Sequence, residues 1–257
     1  MKAFNPPITD WSGRRVWLVG ASTGIGLACA QQMRQAGAVV IISARKPQGI
    51  LEWAAQDAGV HWQPLDVTVQ ADVQATAQRI LVQGPLDMVV YAAGHYKAQR
   101  ATAMDLQQLL QHQSVNYQGA LQVLDAVLPS MLAQGRGHIS LLSSVAGWRG
   151  LPNGLAYGPT KAALTHLAET LYLDLQDAGI GVSVVNPGFV DTPLTAQNEF
   201  TMPALISPEQ AAQAMLRGWA QGAFDIHFPK RFTLWLKLLR ILPYRWYFPL
   251  VRRFTGL

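Results

Sequence analysis

Short, unbroken apolar runs alternate along this chain with longer segments whose apolar positions recur at helical spacing. The runs "RVWLVG" (15–20), "AVVIISA" (38–44), "VHWQPLD" (60–66), "LDMVVYAAG" (86–94), "GHISLLSS" (137–144), "IGVSVVNPG" (180–188) and "FDIHFP" (224–229) read as strands. Between them, helical patterns cover "GLACAQQMRQAG" (26–37), where Gly37 is a stop signal, and then 48–58, 69–83, 104–132, 156–178 and 208–221. Strands that are apolar at every position, each followed by a helix, indicate an α/β fold whose parallel sheet is covered on both faces. Right-handed crossovers then favour a doubly wound, Rossmann-like sheet of about seven strands. No linker divides residues 1–229, which are expected to form one domain, with 230–257 as a C-terminal extension.

Composition supports a sizeable core, since half of the residues are hydrophobic and only 14% are charged. Cys29 is the only cysteine, which rules out an internal disulfide framework and fits a reducing, cytoplasmic setting. The start "MKAFNPPITDW" lacks the apolar run of a secretory signal, and no uncharged apolar stretch is long enough to span a bilayer. The net charge of +5 is unevenly spread: residues 230–257 carry seven Lys/Arg and no acid, leaving 13 basic and 15 acidic residues elsewhere. A body at −2 argues against nucleic-acid binding and confines the basicity to the tail.

"VGASTGIG" follows the first strand and opens the first helix, with Gly20, Gly24 and Gly26 spaced G-x-x-x-G-x-G. Glycine lets the backbone turn tightly and approach a ligand, and the helix N-terminus offers free N–H groups to a pyrophosphate. Position, more than composition, marks this turn as a dinucleotide site, with Ser22, Thr23 and Ile25 beside the glycines. Where many NAD sites carry an acid, the second strand ends with Arg45 and Lys46, which favours a 2′-phosphate and hence NADP(H) over NAD(H). Asp66, followed by Val67, could accept from an adenine amino group; as a helix N-cap or turn residue it would be equally at home.

The segment "YGPTK" sets Tyr157 and Lys161 four residues apart on one helix face. Taken with "GASTGIG", "SVNYQG" (114–119), "LLSSVAG" (141–147) and "NPGFVDT" (186–192), in this order and spacing, the chain from Arg14 to Thr192 resembles the short-chain dehydrogenases/reductases. The resemblance implies an oxidoreductase that moves a hydride between a nicotinamide cofactor and a carbonyl or alcohol. It makes Tyr157 the general acid/base, with Lys161 lowering the phenol's pKa and holding nicotinamide-ribose hydroxyls, so that both also belong to the cofactor site. Ser144 corresponds to the serine that hydrogen-bonds the substrate carbonyl. Strand alternation lets only one of Ser143 and Ser144 face the site. Asn116 matches the asparagine thought to hold a water linking the lysine to solvent; a helix-distorting role is its structural counterpart. Ala93 and Gly94 fall at the cofactor, Pro187 and Gly188 shape the turn after the sixth strand, and Val190 and Thr192 match positions that contact the carboxamide. "YAAG" (91–94) departs from the family's N-N-A-G, so that Ala92 replaces an asparagine that braces neighbouring strands.

The six histidines show no metal-ligand spacing and no metal site is expected; His95, just past the fourth strand, lies near the substrate mouth. Apolar residues of 193–207, namely Leu194, Phe200, Met202, Leu205 and Ile206, suggest a lipophilic substrate. The tail mixes aromatics and leucines with its cations, and a helical pattern over 231–242 suits a membrane interface, a partner surface or a lid on the cleft. The two long helices resemble the family's dimer-forming pair, so a homodimer is expected. A binding-only regulator or a membrane-associated protein on the same fold is the alternative to an enzyme, and the presence of Ser144, Tyr157 and Lys161 together speaks against it.

Overall fold

Residues alternate between two cores along each central strand. In the computed structural model, which describes residues 3–198 and 200–256, β1 (Arg15–Val19) sends Val16 and Leu18 to one face and Trp17 and Val19 to the other. The first half continues with α1 (Gly24–Gln35), β2 (Val39–Ala44), α2 (Ile50–Gln56), β3 (Val60–Pro64), α3 (Gln70–Val82) and β4 (Met88–Tyr91). The second half has α4 (Leu106–His112), a π-helical turn (Gln113–Gln118), α5 (Gly119–Gln134), β5 (Gly137–Leu142), a 3-10 turn (Val145–Gly147), α6 (Tyr157–Leu175), β6 (Ile180–Pro187), α7 (Pro208–Ala220) and β7 (Asp225–Phe228). The seven strands are all parallel, in the order β3-β2-β1-β4-β5-β6-β7. Met33, Met215 and Trp219 of α1 and α7 fill one core; Val73, Val127 and Leu164 of α3, α5 and α6 fill the other. Winding reverses between β1 and β4, which opens a crevice at the carboxyl ends of those strands, where such folds bind ligands.

Three local features depart from the sequence expectations. The helix expected over 48–58 is shorter, because Gln48 and Gly49 both take positive φ and α2 starts only at Ile50. The long helix expected over 104–132 is split by the π-helical turn, the kind of insertion that often marks functional positions. Tyr91 fixes this turn: its hydroxyl donates to the Val115 carbonyl at 2.5 Å, and a Cβ on Gly119 would collide with that hydroxyl. At Ala92, where the family pattern places a bracing asparagine, β4 and β1 are joined by the backbone ladder alone, the Ala92 amide donating to the Val19 carbonyl at 2.8 Å, and Gly20 packs directly on Ala93.

The tail forms two helices, α8 (Lys230–Arg240) and α9 (Tyr244–Thr255), where the sequence pattern gave one helical segment. Thr233 and Tyr247 are buried against the body. Lys237 pairs with Asp225 of β7 at 2.5 Å, and Asp225 also accepts from Asn186 at 2.9 Å. Among the described residues no helix is long and apolar enough to cross a membrane.

Candidate active site

A cleft of about 940 Å³ lies over the β1/β4 switch point. One end is built from the glycine turn. Gly20 and Gly24 take φ of +82° and +55°, and a Cβ on Gly24 would press on Thr192 at 3.0 Å. Thr23 is the N-cap of α1, yet its side chain makes no capping bond and the first turn holds no acid. The N-terminal amides of α1 therefore face the cleft with the positive end of the helix dipole and no side-chain cap from Thr23. This is a donor set suited to a pyrophosphate, and the fit to a dinucleotide rests on it.

Every candidate cofactor residue lines the cleft. Ser22, Thr23, Ile25 and Gly26 surround the turn, while Arg45 and Asp66 stand where β2 and β3 end. Val67, Ala93 and Gly94 line the middle, and Pro187, Gly188, Val190 and Thr192 close the far wall. Arg45 and Lys46 are exposed, and among the described residues neither side chain makes an ion pair. Asp66 works as a turn residue: one carboxylate oxygen accepts from the Thr68 amide at 2.9 Å and hydroxyl at 2.7 Å. Partial burial raises its pKa, but the Thr68 bonds and the charge of Arg45 outweigh that and hold it below the usual carboxylate value.

At the other end, Ser144, Tyr157 and Lys161 share one wall. Both serines fall just past the end of β5 and line the cleft, but their side chains divide. Ser143 turns inward, donating to the Lys161 carbonyl at 2.6 Å and lying 2.9 Å from the Thr165 hydroxyl, so it anchors α6. Ser144 caps the 3-10 turn, accepting from the Ala146 amide at 3.1 Å, and stands beside the Tyr157 phenol. Gly147 packs against the backbone at Lys161 so closely that a Cβ would not fit, which sets the height of α6 over β5.

The electrostatics differ from the sequence expectation. Burial pushes the Tyr157 phenol up to about 12; the Ser144 hydroxyl offsets part of this, and nearby Tyr96 adds to it. Burial likewise pulls the Lys161 ammonium down to about 7. Lys161 Nζ donates to the Leu142 carbonyl at 2.7 Å and lies 5.5 Å from the centre of the Tyr157 ring. With both groups out of water, desolvation of each charge dominates over their mutual attraction. The phenol therefore stays protonated at neutral pH.

Asn116 is fully buried in the π-helical turn. Its Oδ1 accepts from the His95 amide at 2.6 Å, and its Nδ2 donates to the His95 carbonyl at 3.1 Å and the Thr160 hydroxyl at 2.9 Å. It ties the segment after β4 to α6. A Cβ on Gly94 would lie 3.9 Å from both Asn116 Oδ1 and Lys161 Nζ.

Sequence reasoning missed an aromatic cluster over the phenol. Tyr96 meets Tyr157 edge to face at 5.1 Å, and His112 lies 6.5 Å from Tyr157 and 4.6 Å from His95. His112 has both ring nitrogens engaged, Nδ1 donating to the Gln108 carbonyl and Nε2 accepting from the Lys97 amide. His95 lines the cleft with Gln108, their side chains 3.0 Å apart. Of this group the sequence pointed only to His95, which does line the cleft, and not to Tyr96, Gln108 or His112. Among the described residues no cluster of His, Cys, Asp or Glu could hold a metal.

The model of the short chain dehydrogenase family matches residues 14–202. A relative from Myxococcus xanthus, described as an uncharacterized oxidoreductase, is 34% identical over 242 residues, which cover 92% of this chain and 95% of that one. A solved short chain dehydrogenase/reductase family protein is 27% identical with a TM-score of 0.74, covering 85% of this chain and 97% of its own. The 3-ketoacyl-(acyl-carrier-protein) reductase of Brucella melitensis, solved with NADH, shares the fold at 24% identity and a TM-score of 0.77, over 84% of this chain and 98% of its own. With the glycine turn, the Ser144–Tyr157–Lys161 wall and the seven-stranded parallel sheet in place, the chain belongs to the short-chain dehydrogenase/reductase family of oxidoreductases.

Proposed function

We propose that the protein is an NADP(H)-dependent carbonyl reductase or alcohol dehydrogenase in which Tyr157 exchanges the proton on the substrate oxygen. The observation that carries this reading is the convergence of Ser144, Tyr157 and Lys161 on one wall of a cleft whose other end is an uncapped helix N-terminus. When bound, the nicotinamide supplies or accepts the hydride. Ser144 and Tyr157 hold the carbonyl oxygen, and the phenol, protonated at neutral pH, gives up its proton as negative charge grows there. Lys161 stabilises the phenolate left behind and holds the cofactor ribose; Asn116 keeps the floor of the site in register through His95 and Thr160. A phenol at rest in its protonated form suits reduction.

Arg45 and Lys46, which make no ion pair among the described residues, support NADP(H) over NAD(H), since a 2′-phosphate would give their charges a partner. Asp66 keeps an oxygen free of the Thr68 bonds for an adenine amino group. Arg45→Ala is expected to remove a charge-assisted bond of about 1.5–3 kcal/mol, raising KM for NADPH by about ten- to a hundredfold and leaving KM for NADH unchanged. Steady-state kinetics with both cofactors check this, and an equal effect on the two would end the NADP(H) assignment.

Leu194 lines the cleft, and Phe200 and Leu205 are exposed in the following loop, which supports a lipophilic carbonyl substrate. Leu121 and Leu132 of α5 and Leu173 of α6 are exposed apolar residues on the helices expected to pair in a homodimer, and that assembly is part of the proposal.

A further inference from the structure

Among the described residues, no element covers the outer face of the tail, and none of its exposed side chains lines the cleft. On α8, Leu234, Trp235 and Leu238 project from one side and Ile241 continues that side at the C-cap, with exposures of 56, 68, 50 and 76%. The opposite side is spent on the body, where Leu236 and Leu239 pack with Val145, Trp148 and Tyr247. On α9, Trp246, Phe248 and Phe254 are also exposed, next to Arg245, Arg252 and Arg253. The tail holds seven cations and no acid.

This face is held in place. Arg149 donates to the carbonyls of Leu239, Arg240 and Leu242 at 2.9, 3.0 and 2.6 Å, which satisfies the open end of α8. Its guanidinium also lies 3.9 Å from the centre of the Tyr247 ring, and the Tyr247 hydroxyl donates to the Gly150 carbonyl at 2.6 Å. The body-facing side of α8 reaches the cleft: Phe232 packs on Gly188 and lies 5.7 Å from Phe189, which meets Phe200 of the mouth loop at 5.6 Å.

We propose that the outer face of α8 and α9 docks on an anionic lipid bilayer, with its aliphatic and aromatic side chains in the interface and its arginines among the headgroups. Aromatic boundary residues beside arginines, with no carboxylate to repel the surface, are the chemistry that an anionic interface selects. A second copy fits less well, because two-fold pairing of tails would set the exposed arginines of one tail against those of the other. Docking would bring the apolar mouth of the cleft to the lipid, where an apolar carbonyl compound partitions. That consequence rests on the oxidoreductase reading; the docking does not.

Flotation of the full chain with vesicles tests this. The chain is expected to float with phosphatidylcholine vesicles containing phosphatidylglycerol, to stay down with phosphatidylcholine alone, and to release as salt is added. The double variant Trp235→Glu/Ile241→Glu and the charge-only variant Arg252→Glu/Arg253→Glu should each lower recovery at least about tenfold with unfolding midpoint and NADPH affinity unchanged. Both variants alter only exposed residues, and the unfolding midpoint and NADPH affinity read alongside separate lost docking from lost folding. Recovery in the soluble fraction with both vesicle types, or equal recovery with neutral and anionic ones, overturns the proposal. A fall in light-scattering mass on charging Trp235 and Ile241 also overturns it, because the face would then be a self-association surface. Turnover is not read, so a failed reductase assignment would leave this result standing.

Discussion

Tyr157→Phe is expected to lower kcat for carbonyl reduction by about 10³-fold and to leave NADPH affinity unchanged. The substitution removes one hydroxyl from a buried ring and leaves its edge contacts with Tyr96 and His112 in place, so the shape of the wall persists. What is lost is the proton that the oxygen of the substrate must receive. Burial holds that proton on the phenol, with a pKa pushed up to about 12, until charge on the substrate and the Lys161 ammonium draw it off. A fall in kcat with KM unchanged would mark an interaction made in the transition state. A variant that retained wild-type turnover would remove Tyr157 from the chemistry.

Lys161→Met is expected to do two opposite things. Turnover should fall by at least about 10²-fold, because the developing phenolate loses its cation. Stability of the cofactor-free protein at neutral pH should rise by about 2 kcal/mol, since a buried charge gives way to an apolar isostere and only the Leu142 carbonyl loses a partner. The pH dependence fixes the cause. The lysine titrates at about 7 in the folded state and at 10.5 when unfolded. Between those values the unfolded chain binds more protons, so wild-type stability rises with pH across that window. The advantage of the Met variant should therefore be largest below pH 7 and shrink as pH rises toward 10.5. Denaturant midpoints across this range check the sign, and a constant difference would mean that the ammonium is not desolvated.

The central strands were legible in the sequence because both faces of a parallel sheet are buried, so β1 and β4 are runs such as "MVVY", while the outer β3, "VHWQP", and β7, "DIHF", carry polar positions. The glycine turn was legible from its place between the first strand and the first helix. The Ser144–Tyr157–Lys161 wall was legible through the resemblance of five motifs in order, since a lone Tyr/Lys pair four residues apart reads equally as an exposed helix face. The π-helical turn was not, since it depends on Tyr91 reaching Val115 from a strand 24 residues away. The second tail helix was obscured by Pro243 and Pro249, which read as breakers, although Pro243 sits at the N-cap where it breaks nothing. Spacing put Tyr157 and Lys161 side by side correctly, but it carries no information on burial, and burial reverses the expected shift of the phenol. Tyr96, His95 and His112 come together beside the phenol through bonds between the segment after β4 and α4 and the π-helical turn, a tertiary feature with no sequence period.

NADPH consumption by the wild-type protein, followed with ketones and aldehydes of graded chain length, tests the central claim most directly. Cofactor oxidation matched one for one by alcohol formed, with kcat/KM rising as the apolar chain lengthens, is the predicted result. NADPH that binds but is not consumed with any carbonyl compound in the series would contradict it.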